Sequence, residues 1–289
     1  MRKAFISICT LTLSVLLPLH AASKPKGYLF IIGGGSRPES MMKKFIELAG
    51  KFNGGKIIIF PMASSVPDET GREQVDQLKS CGAKDVDFYI LTREQALKEE
   101  SASILETVGG VFFPGGVQSR LTEILLGTPI HRKLLELYEK GAVIGGTSAG
   151  AAVMSEIMIT GDEKRKVEEG HEFETIESSN IVTAPGFGFT KTAIIDQHFV
   201  RRKRHNRLIS LVAENPRLLG IGVDESTAII FKPDQTFEVI GESIVIVYDA
   251  SRAKINILPS GEVRCAGMVM HILTAGDAFN LKKNKVIKK

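Results

Sequence analysis

The sequence predicts an α/β fold with a mostly parallel sheet, helices on both faces of that sheet, and antiparallel strands toward the C-terminus. Three observations support this prediction. Short apolar runs alternate with amphipathic stretches over residues 27–147, which is typical of strands and helices that follow one another along the chain. The runs are apolar throughout, as expected of strands that are covered on both faces. Beyond about residue 220 the pattern changes to alternating, strand-like segments with a Pro-Asp turn.

Each predicted element follows from its own pattern. The first amphipathic stretch is a helix, because Met42, Phe45, Ile46 and Ala49 recur at the spacing that places them on one side. The predicted parallel strands cover 27–35, 56–65, 85–91, 110–116 and 142–146. The predicted helices among them cover 38–52, 70–82, 93–108, 118–127 and 131–141. Ligands of such sheets bind beyond the carboxyl ends of the strands, so we expect a site there.

Length and composition bound the domain organisation. The chain of 289 residues is long enough for one large domain or two small ones. No linker rich in proline and serine divides it, so we predict a single α/β domain over 24–289. A hydrophobic content of 43% and a charged content of 24% are ordinary for a globular protein. The formal net charge of +4 is too small to indicate a nucleic-acid or membrane partner.

The N-terminus has the pattern of a secretory signal peptide. Arg2 and Lys3 precede an apolar run, and small residues suited to signal peptidase follow that run at 21–23. The run is short and contains Pro18, which argues against a membrane-spanning anchor. We therefore predict a signal peptide over 1–23, export to the periplasm or out of the cell, and no membrane association after cleavage.

Two cysteines, Cys81 and Cys265, remain in the exported chain, where a disulfide is permitted. Cys81 lies at helical spacing from Val75 and Leu78, which favours a buried thiol instead. The sequence leaves this choice open. The spacing of cysteines and histidines predicts no structural metal site, and no cofactor is implied.

The segment GGTSAGAAVMS, residues 145–155, carries a candidate nucleophile. An apolar run closed by glycines precedes Ser148, and an apolar, helix-like stretch follows it. A serine flanked as Gly-x-Ser-x-Gly between strand and helix fits the nucleophile elbow, where small neighbours allow a tight turn that exposes the hydroxyl. A structural turn explains this segment equally well, so the rest of the chain must decide between the two interpretations.

A serine hydroxyl needs a base to attack at neutral pH, and that base is usually a histidine oriented by a carboxylate. Of the six histidines, His198 follows an apolar run at a predicted strand end and has acidic and amide neighbours. Five basic residues occur among the seven at 201–207. They fit the polar face of a surface helix or a pocket that binds carboxylates. The lack of interleaved aromatic residues disfavours a nucleic-acid patch.

Four segments together resemble the cyanophycinases, which are serine peptidases related to the aspartyl dipeptidases and have a class I glutamine amidotransferase-like fold. In chain order these segments are FFPGGVQSRL, GGTSAGAAVMS, DQHFVRRKRHNRL and GIGVDESTAI. The third segment, which begins at Asp196, is far more specific than the serine turn. The resemblance extends from about residue 28 to about residue 281, nearly the whole of the predicted mature chain.

The resemblance implies hydrolysis of cyanophycin, a polyaspartate backbone with arginine on each side-chain carboxyl, to β-Asp-Arg dipeptides through an acyl-enzyme. It implies that Ser148 is the nucleophile and His198 its general base, and it makes a homodimer an expectation. The positions that match the family's substrate pocket are Gln118, Asp196, Gln197, Arg202, Arg204, Arg207 and Glu225.

The chemistry of the implied substrate fits these side chains. Carboxylates of an Asp-Arg repeat suit the three arginines, and its guanidinium groups suit Asp196 and Glu225. The backbone N–H groups of Gly116 and Ala149 are candidates for an oxyanion hole. One departure is Val117, which stands where the family often has aspartate.

Two glutamates are candidates for the carboxylate that orients the histidine. The family has a glutamate a short distance after the serine helix, and Glu163 is our choice by its distance from Ser148. Glu174 is the alternative, counted back from the segment PGFGF. Both lie in a highly charged stretch, 161–180, that has few large apolar residues and is predicted to be a surface excursion.

The sequence therefore predicts an exported serine exopeptidase that acts on cyanophycin or related β-aspartyl peptides. A first alternative is an aspartyl dipeptidase-like enzyme of the same scaffold that acts on short peptides. A second is an exported binding protein that keeps the fold without the chemistry. A third is an α/β-hydrolase esterase, which shares the Gly-x-Ser-x-Gly turn but leaves the basic segment after His198 unexplained.

Overall fold

A computed structural model of the chain describes residues 24–168 and 170–287. The predicted signal peptide, residues 1–23, lies outside the described residues. In chain order the strands are β1 (Tyr28–Ile32), β2 (Lys56–Ile59), β3 (Val86–Phe88), β4 (Val108–Phe113), β5 (Val143–Thr147), β6 (Ile157–Glu163), β7 (Ile181–Pro185), β8 (Ala193–Gln197), β9 (Leu219–Val223), β10 (Thr227–Phe231), β11 (Thr236–Gly241), β12 (Val245–Asp249), β13 (Lys254–Ile257), β14 (Val263–Ala266), β15 (Val269–Leu273), β16 (Ala278–Asn280) and β17 (Lys285–Ile287). The α-helices are α1 (Glu39–Gly50), α2 (Pro67–Ser80), α3 (Arg93–Ala96), α4 (Gln118–Leu125), α5 (Pro129–Lys140), α6 (Ala149–Ala152) and α7 (His205–Glu214).

The central sheet has nine strands in the order β17-β16-β11-β10-β1-β5-β4-β2-β3. The strands from β1 to β3 in this order pair in parallel, and those from β17 to β1 pair in antiparallel fashion. The predicted α/β architecture is thereby confirmed, including the antiparallel strands late in the chain. Because β1, β5 and β4 are parallel neighbours, the loops that follow them meet at one edge of the sheet.

β1 shows how this sheet is covered on both faces, because successive side chains of a strand point to opposite sides. Leu29 and Ile31 are buried in one apolar cluster with Leu134 of α5. Phe30 is buried in another cluster with Phe45 of α1, and the two rings meet edge to face with centroids 5.6 Å apart. Burying each such side chain stabilises the fold by about 1.5–3 kcal/mol, which is why this strand is apolar throughout.

A second sheet has four strands in the order β15-β12-β9-β8. β8 and β9 are parallel, with Gln197 opposite Val223. Leu208 and Val212 of α7 pack over this sheet in a buried cluster with Ile194. Because β8 and β9 end in register, the residues that follow them are neighbours in space. This pairing, which joins segments far apart in sequence, positions half of the candidate site.

Two predicted helices are shorter than expected. The prediction of one helix over 93–108 is wrong, because α3 ends at Ala96 and a 3₁₀ helix follows over Glu99–Leu105. The hydroxyl of Ser101 donates to the carbonyl of Gln95, so side chains compete for the backbone groups that a continuous helix needs. The apolar stretch after Ser148 forms only the four residues of α6, and the chain then enters β6.

The charged stretch 161–180 is a mostly exposed excursion, as its composition predicts. It connects β6 and β7, which pair with each other as a separate antiparallel ribbon. Arg165 forms an ion pair of 2.5 Å with Glu177, whose side chain is largely buried. The excursion is therefore anchored to the protein near its C-terminal end.

Cys81 and Cys265 are not joined by a disulfide: Cys81 is half-buried at the end of α2 and Cys265 is exposed on β14. Partial burial of Cys81 agrees with the interpretation of its helical spacing. Across residues 24–168 and 170–287, the helices are all too short or too polar to cross a membrane.

Candidate active site

Ser148 occupies a sharp turn between β5 and α6. Its backbone has φ 53° and ψ −110°, which is a sparsely populated conformation for a residue with a side chain. The neighbouring glycines explain how the chain fits here. A Cβ atom at Gly146 would collide with the backbone of Gly150, and one at Gly150 would collide with the carbonyl of Phe113. The small residues around the serine are therefore required by close backbone approach, as in a nucleophile elbow.

His198 lies directly against this serine, with 2.9 Å between its Nε2 atom and the Oγ atom of Ser148. It follows β8 in a left-handed conformation with φ 49°. Its N–H donates to the carbonyl of Gly33, 2.7 Å away, beyond the end of β1. A Cβ atom at Gly34 would overlap the imidazole ring, so a side chain there would displace the histidine. The two glycines that follow β1 therefore pack directly against His198.

Glu225 accepts a hydrogen bond from the other nitrogen of the ring, with 2.6 Å between Nδ1 of His198 and Oε1 of Glu225. A carboxylate in this position holds the proton on Nδ1 and leaves Nε2 free to accept the serine proton. The contact arises because β8 and β9 end in register, so Glu225 is carried to the ring that follows β8. Ser148, His198 and Glu225 therefore form a continuous hydrogen-bonded chain.

The structure corrects the prediction that Glu163 orients His198. Glu163 ends β6, and its carboxylate accepts from the N–H of Phe173 at 2.8 Å and from Nδ2 of Asn180 at 2.7 Å. These bonds hold the charged excursion together. Glu174, the alternative, is an exposed partner of His171 at 2.8 Å. Both glutamates therefore bond to groups of the charged excursion instead of the ring, which the number of residues after the serine could not reveal.

Burial lowers the pKa of His198 below its ordinary value, because the charged imidazolium is poorly solvated there. The hydrogen bond with Glu225 opposes this effect and raises the pKa, whereas the positive charges of Arg202 and Arg204 lower it further. The net effect keeps the ring neutral at neutral pH. A neutral ring is the form that can accept a proton from the serine.

This pKa shift predicts the acid limb of the pH profile. We expect kcat/KM to rise with pH as His198 loses its proton, with a midpoint below the ordinary histidine value of about 6.5. Replacing Arg202 with glutamine removes a charge that lowers the pKa, so the limb should move to higher pH. Arg201→Gln makes the same change one residue away and is the matched control. Equal shifts in both variants would mean that net charge, and not the position of Arg202, sets the limb.

A cleft of about 850 Å³ lies between the charged excursion and the turn that follows His198. Arg202 and Arg204 line one wall, and Glu172 and Glu174 line the other. Arg204 donates through Nη1 to the carbonyl and the side-chain oxygen of Gln197, at 2.8 and 2.7 Å. Burial lowers the pKa of Arg204 to about 10, and the neighbouring Arg207 contributes in the same direction. The cleft can bind carboxylates on one side and cations on the other.

Asp196 and Arg207 are placed differently from the prediction, because they bind each other. Nε of Arg207 donates to Asp196 at 2.7 Å, and Nη2 donates to the second carboxylate oxygen. Both side chains are buried, and the guanidinium group lies over the ring of Phe173 at 4.8 Å. The carboxylate of Asp196 is already neutralised, so it does not offer the expected binding site for a substrate guanidinium.

Removing one partner of this buried pair should destabilise the fold. Replacing Arg207 with alanine leaves the Asp196 carboxylate buried without its paired cation. The carboxylate keeps a hydrogen bond from the N–H of Gln197 at 2.7 Å, and the guanidinium of Arg204 lies 3.9 Å away. We expect the free energy of unfolding to fall by about 3 kcal/mol, the low end of the range for a broken buried pair. Urea denaturation measures this loss. The double variant Asp196→Leu with Arg207→Met should recover much of it, and a single variant as stable as wild type would contradict the assignment.

The remaining predicted residues lie between the end of β4 and the start of α4. The amide of Gln118 is buried and donates to the carbonyls of Ile159 and Thr160, at 2.8 and 2.6 Å, so it holds the middle of β6. Gly116 has φ 138° and lies so close to the carbonyl of Ala63 that no side chain would fit. Val117, which departs from the family pattern, is exposed.

The candidate oxyanion donors lie close to the serine in the chain or in space. Ala149 is the first residue of α6 and directly follows Ser148, and helix-starting N–H groups have no partner within their own helix. A Cβ atom at Gly115 would lie 3.5 Å from the Cβ atom of Ser148, so the glycine loop that includes Gly116 reaches the serine. The role of these N–H groups remains a prediction.

Sequence reasoning assigned Glu225 to the substrate pocket and missed its contact with the histidine. Gly34, which leaves room for the ring, was also missed. The signal was present in GIGVDEST, where an apolar run with glycines ends in two acids. Only the pairing of β8 with β9 shows that the second of these acids lies beside the histidine. Over residues 24–168 and 170–287, no group of three histidines, cysteines or acids is arranged to hold a metal ion.

Comparisons with known proteins show which family the chain resembles over most of its length. A model of peptidase family S51 matches residues 29–239. The cyanophycinase of Synechococcus elongatus is 33% identical over 276 residues, which cover 92% of this chain and 83% of the relative. The cyanophycinase of Trichormus variabilis is 32% identical over 280 residues, which cover 94% and 91%. A crystal structure of a peptidase from an acI-B1 Actinobacterium matches 89% of this chain and 98% of its own, with a TM-score of 0.64 and 22% identity, so that likeness concerns the fold.

Proposed function

Because the chain belongs to peptidase family S51 and is a cyanophycinase-like serine peptidase, we propose that it hydrolyses cyanophycin or closely related β-aspartyl peptides as an exopeptidase. The expected product from cyanophycin is the β-Asp-Arg dipeptide. One observation carries the proposal: Ser148, His198 and Glu225 form a hydrogen-bonded chain. The turn that starts at His198 also lines a cleft that has arginines on one wall and glutamates on the other.

In the proposed mechanism, Oγ of Ser148 attacks the scissile carbonyl while its proton passes to Nε2 of His198. The oxygen of the tetrahedral intermediate takes the negative charge, and the N–H groups of Gly116 and Ala149 are proposed to stabilise it. His198 then donates its proton to the leaving amine, and an acyl-enzyme ester remains on the serine. Water, deprotonated by the same ring, attacks the ester. The ring then returns the proton to Oγ of Ser148 as the ester bond breaks, and the second product is released. Glu225 stabilises the imidazolium form in both halves of the reaction.

Substrate recognition follows from the two walls of the cleft. Arg202 and Arg204 are proposed to bind carboxylates, since guanidinium groups hold them with two parallel hydrogen bonds. Glu172 and Glu174 are proposed to bind the arginine side chains of the substrate, in place of Asp196 and Glu225, which the sequence predicts for that role. An Asp-Arg repeat presents both charges at short spacing and matches both walls. A neutral peptide would match neither.

We also propose that residues 1–23 direct export and are removed, and that residues 24–289 fold as a single domain. The basic and apolar pattern of the N-terminus supports the first proposal. The second is supported by residues 29–239 matching one family model without interruption. The N-terminal sequence of the protein recovered outside the cytoplasm tests the first, because an intact Met1 there would contradict cleavage.

The function is tested with residues 24–289, incubated with purified cyanophycin and, separately, with short α-linked aspartyl dipeptides. Mass spectrometry identifies the soluble products, and the Ser148→Ala protein is the matched control. Release of β-Asp-Arg by the wild type alone supports the proposal. Cleavage of the α-linked dipeptides alone would show an aspartyl dipeptidase instead. No cleavage by a folded protein that still binds the polymer would indicate a binding protein.

A further inference from the structure

Asp224 precedes Glu225 and binds the turn that follows the histidine. Its Oδ1 atom accepts from the N–H groups of Val200 and Arg201, at 3.0 and 2.9 Å. Its Oδ2 atom accepts from the hydroxyl of Ser243 at 2.7 Å. The side chain is buried, with 7% of the residue exposed. One carboxylate thus connects the turn after β8 to the turn between β11 and β12.

The turn that Asp224 binds starts at His198, whose left-handed backbone needs support from its surroundings. Within the turn, the N–H of Arg202 donates to the carbonyl of His198 at 2.9 Å. The N–H of Arg204 donates to the carbonyl of Phe199, also at 2.9 Å. The N–H groups of Val200 and Arg201, which lie between these two bonds, are satisfied by Asp224. The carboxylate therefore fixes the part of the turn whose N–H groups do not donate to carbonyls of the turn itself.

We propose that Asp224 is a positioning residue for the general base, an inference that rests on the proposed function. Glu225 holds the ring of His198 and Asp224 holds the backbone from which that ring projects. The two adjacent acids thus fix the base at two points. Ser243 keeps the carboxylate of Asp224 in place and is itself held, because its N–H donates to the hydroxyl of Thr227 at 2.8 Å. Asp224 acts through His198 and does not contact the reacting atoms.

Two substitutions separate positioning from charge. Asp224→Ala leaves the N–H groups of Val200 and Arg201 without their acceptor, so the turn can relax and the ring can move. Asp224→Asn keeps an oxygen for those two N–H groups, and its amide nitrogen can donate to Ser243, whose hydroxyl can also accept. The asparagine variant should therefore keep the geometry although it loses the charge. If the negative charge itself mattered, both variants would fail alike.

The test measures the rate at which a fluorophosphonate probe labels Ser148, because this rate does not depend on the identity of the substrate. Asp224→Ala is expected to slow labelling about 100-fold, the loss that a misplacement of about 1 Å can cause. Asp224→Asn is expected to lose less than about tenfold, the equivalent of one hydrogen bond. Proton NMR provides a second readout: the low-field signal of the His198 Nδ1–H bonded to Glu225 should persist in the asparagine variant and weaken in the alanine variant.

Thr128→Ala is the control for lost stability. It removes a buried hydroxyl that caps α5, outside the site, so it should lower Tm without changing the labelling rate. If Asp224→Ala lowers Tm but labels as fast as wild type and keeps the NMR signal, the positioning role is wrong. If both Asp224 variants label at the same reduced rate, charge is responsible and the positioning role is also wrong. An unlabelled wild type would instead overturn the proposed nucleophile.

Discussion

Replacing Ser148 with alanine is expected to reduce hydrolysis by about 10⁶-fold, because the acyl-enzyme cannot form without the hydroxyl. The folded structure should tolerate the change. The serine hydroxyl makes no capping bond to α6, and alanine has the same Cβ atom in the same strained backbone. Single-turnover product release measures the loss, and circular dichroism checks that the fold is kept. Binding of the polymer should remain, because the arginine wall of the cleft is unchanged.

Ser155→Ala is the matched control for this change. It removes a hydroxyl seven residues further along the chain, where the hydroxyl is buried and donates to the carbonyl of Ile157 at 2.8 Å. It should lower stability by about 1 kcal/mol and leave the turnover per folded molecule unchanged. Hydrolysis by the Ser148→Ala protein at the wild-type rate would show that another group is the nucleophile.

Replacing Glu225 with glutamine is expected to lower kcat by about 10⁴-fold, the effect of the equivalent change in a Ser-His-Asp triad. The amide can donate to Nδ1 of His198, which favours the tautomer with its proton on Nε2. That nitrogen then cannot accept the serine proton. Loss of the carboxylate also removes an interaction that raises the pKa of His198, so the acid limb of kcat/KM should move to lower pH.

Glu163→Gln distinguishes the carboxylate in the structure from the one predicted by sequence. Its oxygens accept from Phe173 and Asn180, so glutamine can keep one of these bonds and the site should be undisturbed. We expect kcat to stay close to wild type while the excursion becomes more sensitive to proteolysis. A large loss in Glu163→Gln with full activity in Glu225→Gln would restore the prediction from sequence.

Local pattern was sufficient to predict the main layers of the fold and the serine turn. Strands such as β1 and β5 are covered on both faces, so nearly all their residues are buried and apolar or small. A continuous run of such residues is visible in the sequence and predicts the strand. Ser148 is recognisable from the sequence because the backbone lies too close to Gly146 and Gly150 for either to carry a side chain. The glycines that this requires are therefore near the serine in the sequence. His198 was found from a resemblance to a family and from its place at a strand end.

Contacts between distant segments were not predictable in the same way. The partner of His198 depends on the pairing of β8 with β9, and no local pattern records which strands pair. Glu163 was chosen by its distance along the chain, which says nothing about the direction that β6 takes. The sequence predicts pocket roles for Asp196 and Arg207, which in the structure form a buried ion pair. An ion pair and a substrate-binding site use the same residue types, so the sequence does not distinguish them. The prediction of one helix over 93–108 was wrong because a serine hydroxyl competes for a backbone carbonyl that a continuous helix would use.

The site is divided between the two sheets. Ser148 follows a strand of the central sheet, whereas His198 and Glu225 follow strands of the four-stranded sheet. Neither sheet alone holds a reactive serine, so a chain whose sheets have not yet docked is expected to be inert. We expect a newly made chain to gain activity only when the two sheets have docked and to lose it when they separate, because docking places His198 against Ser148.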